Sequence, residues 1–258
     1  MASICGDDHF KAILHGAAEQ HRETEMSFES FLILLFLIWH SCRFRVQMSL
    51  IGEHIVERIT LPKNREKEKA SMTIGNFTFI ETEIEGVFII ELKAYGDSRG
   101  YFMETYKKPD FDAAGLRYDF IQDNQSASRK GVLRGLHFQK NHPQAKLVRV
   151  FSGEVFDVAV DLRKGSKTYG KWVGTCLSEE NKRQLLIPRG FAHGFLVLSD
   201  FAEFTYKCDE VYHPEDEGGI AWNDPDIAVA WPDMGELILS EKDKKNPTMA
   251  DRPVEFQV

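Results

Sequence analysis

Residues 146–162 read KLVRVFSGEVFDVAVDL, and this stretch decides the fold class. Residues 146–151 (KLVRVF) and 155–162 (VFDVAVDL) are short runs rich in β-branched and aromatic residues. Between them, Ser152-Gly153-Glu154 offers a glycine able to take the positive φ of a tight hairpin turn. In the second run Val155, Asp157, Ala159 and Asp161 alternate with Phe156, Val158 and Val160. That period of two gives one apolar and one mixed face and predicts a half-buried strand. Outward from this hairpin the same pattern begins near Phe77 and recurs at residues 87–92, 132–139, 172–177, 184–187, 195–198 and 203–207, punctuated by Gly, Asp and Asn. Helical pattern is confined to residues 109–116 and to Ser240-Glu241-Lys242-Asp243, whose capping-box form predicts a helix start near the C-terminus. Many short strands with few helices predict an all-β sandwich or barrel. No strand-helix alternation, glycine-rich dinucleotide fingerprint or Walker sequence supports a nucleotide-binding α/β fold.

The chain has 258 residues, with 32 Lys and Arg against 40 Asp and Glu, a formal charge of −8. That balance excludes a general nucleic-acid binder, which would carry a basic excess. With 43% apolar residues and 19 Phe the chain can build a core, which excludes wholesale disorder. The longest apolar run, residues 31–39 (FLILLFLIW), is half of the roughly 18 residues needed to span a bilayer, so no membrane partner is expected. Residues 1–71 hold five of the nine His but only three of the 19 Gly and one of the nine Pro. They read as a leader, disordered or appended, with the natural start at Met72 and one all-β domain over residues 72–258. A signal-anchor is the alternative, but acidic Glu23, Glu25 and Glu29 precede the apolar run and no small-residue cleavage site follows it. Cys5, Cys42, Cys176 and Cys208 form no C-x-x-C pair, which fits reduced thiols and a cytoplasmic location.

Two histidine segments carry the functional reading. Residues 131–139 (GVLRGLHFQ) place His137 mid-strand beside glycines, and residues 187–195 (IPRGFAHGF) place His193 after a turn. Together they resemble the two motifs of the cupin-type jelly roll, a double-stranded β-helix in which both histidines point into the barrel. Metal-binding cupins carry H-x-H in the first motif. Here the second position is Gln139 and no Glu follows closely, so no metal and no other cofactor is expected. Adding residues 122–126 (QDNQS), 153–163 (GEVFDVAVDLR) and 181–184 (NKRQ), the chain from about residue 74 to 258 is similar to the dTDP-4-dehydrorhamnose 3,5-epimerase family.

That resemblance implies inversion of C3 and C5 of a dTDP-4-keto-6-deoxyhexose. Inverting a carbon beside a ketone takes a base on one face, an acid on the other, and a cation where the enolate oxygen gains charge. His137 suits the base, since imidazole titrates near neutral pH. By resemblance Asp243 pairs with it and favours its protonated form, Tyr206 is the proton donor, and Lys146 is the electrophile at the C4 oxygen. Ligand contacts are implied for Arg99, Glu104, Gln122, Asp123, Asn124, Arg134, His193, Glu217 and Lys242. In that family an N-terminal segment crosses a homodimer, so Arg99 and Glu104 are expected from the partner subunit. Arg134 poses a problem, because strand alternation faces it away from His137 unless a bulge or the Gly135 break intervenes. The alternatives are an epimerase acting at C3 or C5 alone and a sugar-nucleotide-binding cupin without turnover. The set of His137, Tyr206, Lys146 and Asp243 counts against the latter, and more strongly against a structural, seed-storage-like cupin, where such a polar group would be costly to bury without purpose.

Overall fold

The computed structural model describes residues 70–257. The leader reading, apart from Ala70 and Ser71, therefore falls outside the described residues, as do Cys5 and Cys42. Strand β1 (Ser71–Ile74) begins one residue before Met72 and pairs with β2 (Phe77–Glu81), which pairs with β3 (Phe88–Leu92). A separate hairpin, β4 (Ala94–Asp97) and β5 (Gly100–Met103), precedes helix α1 (Lys108–Ala113). The remaining strands are β6 (Gln122–Arg129), β7 (Leu133–Gln139), β8 (Lys146–Ser152), β9 (Glu154–Asp161), β10 (Trp172–Ser178), β11 (Gln184–Ile187), β12 (Phe191–Val197), β13 (Phe201–Cys208) and β14 (Glu217–Gly219).

These strands form the two facing sheets of a cupin-type jelly roll. The first runs β1-β2-β3-β11-β8-β13-β6 and the second β10-β9-β12-β7-β14. Residues 146–162 do not form the hairpin expected of them: β8 pairs with β11 and β13 while β9 pairs with β10 and β12, so the turn at Gly153 carries the chain from one sheet to the other. Gly153 takes φ +79° there, and a Cβ on it would lie 2.1 Å from the Phe201 carbonyl oxygen, so glycine is required. Between the sheets lies a core that includes Val148, Val150, Val155, Ala159, Leu177, Leu185, Val197 and Phe204.

The outer faces are also covered, and this corrects the reading of β9 as half-buried. Phe156, Val158 and Val160 pack against Ile220, Ile227, Met249, Val254 and Phe256, from the C-terminal stretch that returns across the second sheet. Consequently β9 is buried on both faces from Asp157 onward. On the outside of the first sheet, Phe77, Phe79, Ile90, Leu147 and Leu186 are covered by Phe111 and Leu116. Helix α1 has six residues, too few to persist alone. Phe111 anchors it through edge contacts with Phe77, Phe79 and Tyr106 at 5.3, 5.2 and 4.9 Å.

The helix expected after Ser240 is instead a single 3-10 turn, Asp243–Lys245. Ser240 Oγ accepts the Asp243 N–H at 3.0 Å, half of a capping box. The carboxylate does not return to the Ser240 amide, because it is bound to His137. Pro247 then disfavours helical backbone at Asn246, which turns to φ −59°, ψ 134°.

Candidate active site

A cavity of about 650 Å³ opens between the two sheets. From the second sheet β7 contributes Arg134 and His137, and β12 contributes His193 and Phe195. From the first, β6 contributes Gln122, Asn124 and Ser126, β8 Lys146, and β13 Phe204 and Tyr206. Residues Ile238, Leu239, Ser240, Lys242 and Asp243 complete it from the segment after the last strand, with Tyr212, Gln144 and Glu217 on one side.

Local sequence sets these placements. Residues His137 and His193 are cross-strand partners, while Arg134 is opposite Phe195, so three steps along β7 match two along β12. This bulge brings Arg134 to the cavity with His137 and resolves the alternation problem. It depends on Gly135, at φ +131°, where a Cβ would sit 2.5 Å from the Gly194 Cα. In β6 the alternation is regular: Gln122, Asn124 and Ser126 line the cavity, and Asp123 points outward to an ion pair with Lys207 at 2.9 Å.

His137 Nε2 lies 2.5 Å from Asp243 Oδ1. Asp243 is 4% exposed, and a carboxylate can only accept, so Nε2 carries the proton and Nδ1 is left as the lone-pair nitrogen. Burial pushes the Asp243 carboxyl up, but the bond and charge of His137, with Ser240 and the Gly135 amide, outweigh it and hold it below the usual carboxylate range. A second pair lies behind: His193 Nε2 is 2.9 Å from Asp157 Oδ2, and both residues are buried.

On the opposite sheet the half-buried Lys146 has no ion-pair partner among the described residues, and its ammonium lies 5.8 Å from the centre of the Tyr206 ring. Burial lowers its pKa, with Cys208, Asp157 and Glu217 pulling partly back. Burial raises the Tyr206 phenol, so it is protonated at neutral pH and able to donate. At the rim, Glu217 accepts from the Tyr212 hydroxyl at 2.6 Å and pairs with Lys242. Burial raises the Glu217 carboxyl, but Lys242 and Tyr212 bring it below its ordinary value. The Tyr212 phenol is pushed up to about 12, first by its bond to Glu217 and then by burial.

The fold thus assembles His137, Tyr206, Lys146, Asp243, Gln122, Asn124, Arg134, His193, Glu217 and Lys242 around one cavity. It does not bring in Arg99, Glu104 or Asp123. Arg99 sits on the exposed β4–β5 hairpin, forked onto Asp97, and Glu104 accepts from Asn76 at 2.5 Å. Sequence reasoning missed Tyr212, Ser126, Gln144 and Asp157. Only Asp157 carried a signal, as an acid sharing a strand face with Val155 and Ala159. Among the described residues no three His, Cys, Asp or Glu side chains group as a metal site, and the Gln139 side chain is bonded to loop main chain.

Comparison with known proteins places this geometry. The family model described as dTDP-4-dehydrorhamnose 3,5-epimerase matches residues 81–251. The chain is 55% identical over 183 residues to the dTDP-4-dehydrorhamnose 3,5-epimerase of Methanothermobacter thermautotrophicus, covering 70% of this chain and 99% of that one. Against the Escherichia coli enzyme of the same name the identity is 56% over 168 residues, 64% of this chain and 91% of the other. Among solved structures it is similar to a dTDP-6-deoxy-D-glucose-3,5-epimerase of Legionella pneumophila in complex with dTDP-4-keto-L-rhamnose. That match has a TM-score of 0.67 at 50% identity and covers 70% of this chain and all of the other.

Proposed function

The chain belongs to the dTDP-4-dehydrorhamnose 3,5-epimerase family, and from that premise we propose that it inverts C3 and C5 of dTDP-4-keto-6-deoxyglucose, giving dTDP-4-keto-L-rhamnose by proton transfer. The observation that carries the reading is the division of roles between two walls: His137 on one sheet, backed by Asp243 from the C-terminal 3-10 turn, and Tyr206 with Lys146 on the other sheet, around one cavity.

His137 Nδ1 takes the proton from the carbon beside the ketone. The electron pair moves onto the C4 oxygen, where the Lys146 ammonium meets the developing charge in a partly dehydrated setting. The Tyr206 phenol then returns a proton to the opposite face of the same carbon. Imidazolium and phenolate remain, and exchange with water resets them, so solvent hydrogen enters the product. Because C3 and C5 both flank C4, one electrophile serves two successive enolates. Arg134 and Lys242, near the rim, supply positive charge for the diphosphate of the substrate in an otherwise acidic protein.

The dimer belongs to the same proposal. Tyr95, Tyr101 and Phe102 are 47%, 58% and 68% exposed on the hairpin that carries Arg99. A partner subunit covering that hairpin brings its Arg99 and Glu104 to the cavity. The reading also places the reaction in the cytoplasm, supported by free Cys176 and Cys208; no helix among the described residues is long and apolar enough to cross a membrane. The test is solvent deuterium incorporation into dTDP-4-keto-6-deoxyglucose, followed by NMR. Label at C3 and C5 is expected; label at one carbon selects a mono-epimerase, and no label rejects turnover.

A further inference from the structure

Gln139 stands two residues beyond His137, where metal-binding cupins have their second histidine, and it is 4% exposed. Every hydrogen bond of its side chain goes to main chain. Its Nε2 donates to the carbonyls of His142 and Val211 at 2.8 and 3.1 Å, and its Oε1 accepts the His213 N–H at 2.7 Å. The carbonyl before Tyr212 and the amide after it are thus held by one buried side chain. The Tyr212 N–H itself donates to Gln122 Oε1 at 2.9 Å, and its phenol donates to Glu217. Glu217 is in turn the cross-strand partner of Gln139. Tyr212 and Glu217 line the cavity, whereas Gln139 does not.

We propose that Gln139 is a positioning residue: it fixes Tyr212 against Glu217 and thereby shapes one wall of the substrate cavity. The segment carrying Tyr212 lies between β13 and the 3-10 turn Pro214–Asp216 and pairs with no strand among the described residues, so side-chain amides take the place of a ladder. Only a group with two donors and an acceptor in one plane matches two carbonyls and one N–H. A glutamate of the same shape would face those carbonyls with oxygen. The inference rests on the epimerase reading for its kinetic arm.

The test is a double-mutant cycle on the full chain, with Gln139→Glu and Tyr212→Phe alone and combined, reading kcat/KM for epimerisation. With Tyr212 present, Gln139→Glu is expected to lower kcat/KM by about tenfold to 10²-fold, the range for a group misplaced by about an ångström. In the Tyr212→Phe background the same change should cost less than about twofold, because the hydroxyl through which Tyr212 is held against Glu217 is gone. An equal loss in both backgrounds, or no loss in either, overturns the proposal. If Gln139→Glu does not fold, Gln139→Met removes the same bonds without adding charge. Amide exchange across residues 211–213 supplies a readout independent of turnover: faster exchange in the Gln139 variants is expected, and unchanged exchange contradicts the proposal. Should the unaltered protein fail to turn over, the activity is rejected and the exchange arm alone decides the role of Gln139.

Discussion

Replacing Asp243 by Asn keeps the shape of the site but changes what faces the His137 ring. The carboxylate is 4% exposed and 2.5 Å from Nε2, so it holds the proton there, and with His137 as the proposed base it would stabilise the imidazolium formed on proton abstraction. A hydrogen bond to a charged group contributes about 1.5–3 kcal/mol, which converts to a rate factor between about 10 and 10². The amide adds a second effect. Its NH2 donates to Nε2, which moves the ring proton to Nδ1 and removes the lone pair needed for abstraction. In a serine-protease triad the corresponding change costs about 10⁴. The expected fall in kcat is therefore about 10² to 10⁴, with KM changed by less than about threefold because the cavity walls are unaltered. Initial rates of deuterium entry at C3 and C5 measure it, with a thermal melt to establish that the variant is folded. A folded Asp243→Asn variant with kcat within about threefold of the unaltered protein would refute the reasoning.

Three further outcomes follow from the same geometry. Tyr206→Phe should slow inversion more than hydrogen exchange, since washout needs only the base on the His137 side; equal slowing of both contradicts its role as acid. Asp161 is pushed up by burial, but bonds from Arg163, Ser166 and Thr168 outweigh this and bring it to about 2, against 3.8 for an ordinary aspartate. Its stabilisation is therefore fully present above pH 3.8 and lost as pH falls through about 2, a change of about 2 kcal/mol. The stability difference between the unaltered protein and Asp161→Asn should shrink by that amount between pH 5 and pH 2, and parallel curves would contradict it. A chain beginning at Met72 should fold and turn over at the full rate, because Met72 to Ile74 still pair with β2; loss of either shows that the leader contributes.

The sequence made legible those elements whose side chains alternate against the core between the sheets. Residues 184–187 became β11 with the boundaries read, and β8, β9 and β10 shifted by one residue at most. Strand β6 was not legible, because its inward side chains, Gln122, Asn124 and Ser126, face a polar cavity and not a core. Hydrophobic alternation is silent on such a strand. The double burial of β9 was hidden for the opposite reason: the residues that cover it, Ile220 to Phe256, are far along the chain. Of the site, the His137 and His193 segments stood out through their glycines and spacing, and the resemblance supplied roles for Lys146, Tyr206 and Asp243. Tyr212 lay in an aperiodic segment, and its place emerges only from the bonds of Gln139 and Glu217.

In the proposed mechanism His137 removes the protons at both C3 and C5 and Tyr206 returns them from the opposite sheet. Incubating dTDP-4-keto-6-deoxyglucose in D2O with the unaltered protein and with His137→Ala tests it most directly. Deuterium is expected at both carbons with the first and at neither with the second. Label at both carbons with folded His137→Ala, or none with the unaltered protein, would contradict it.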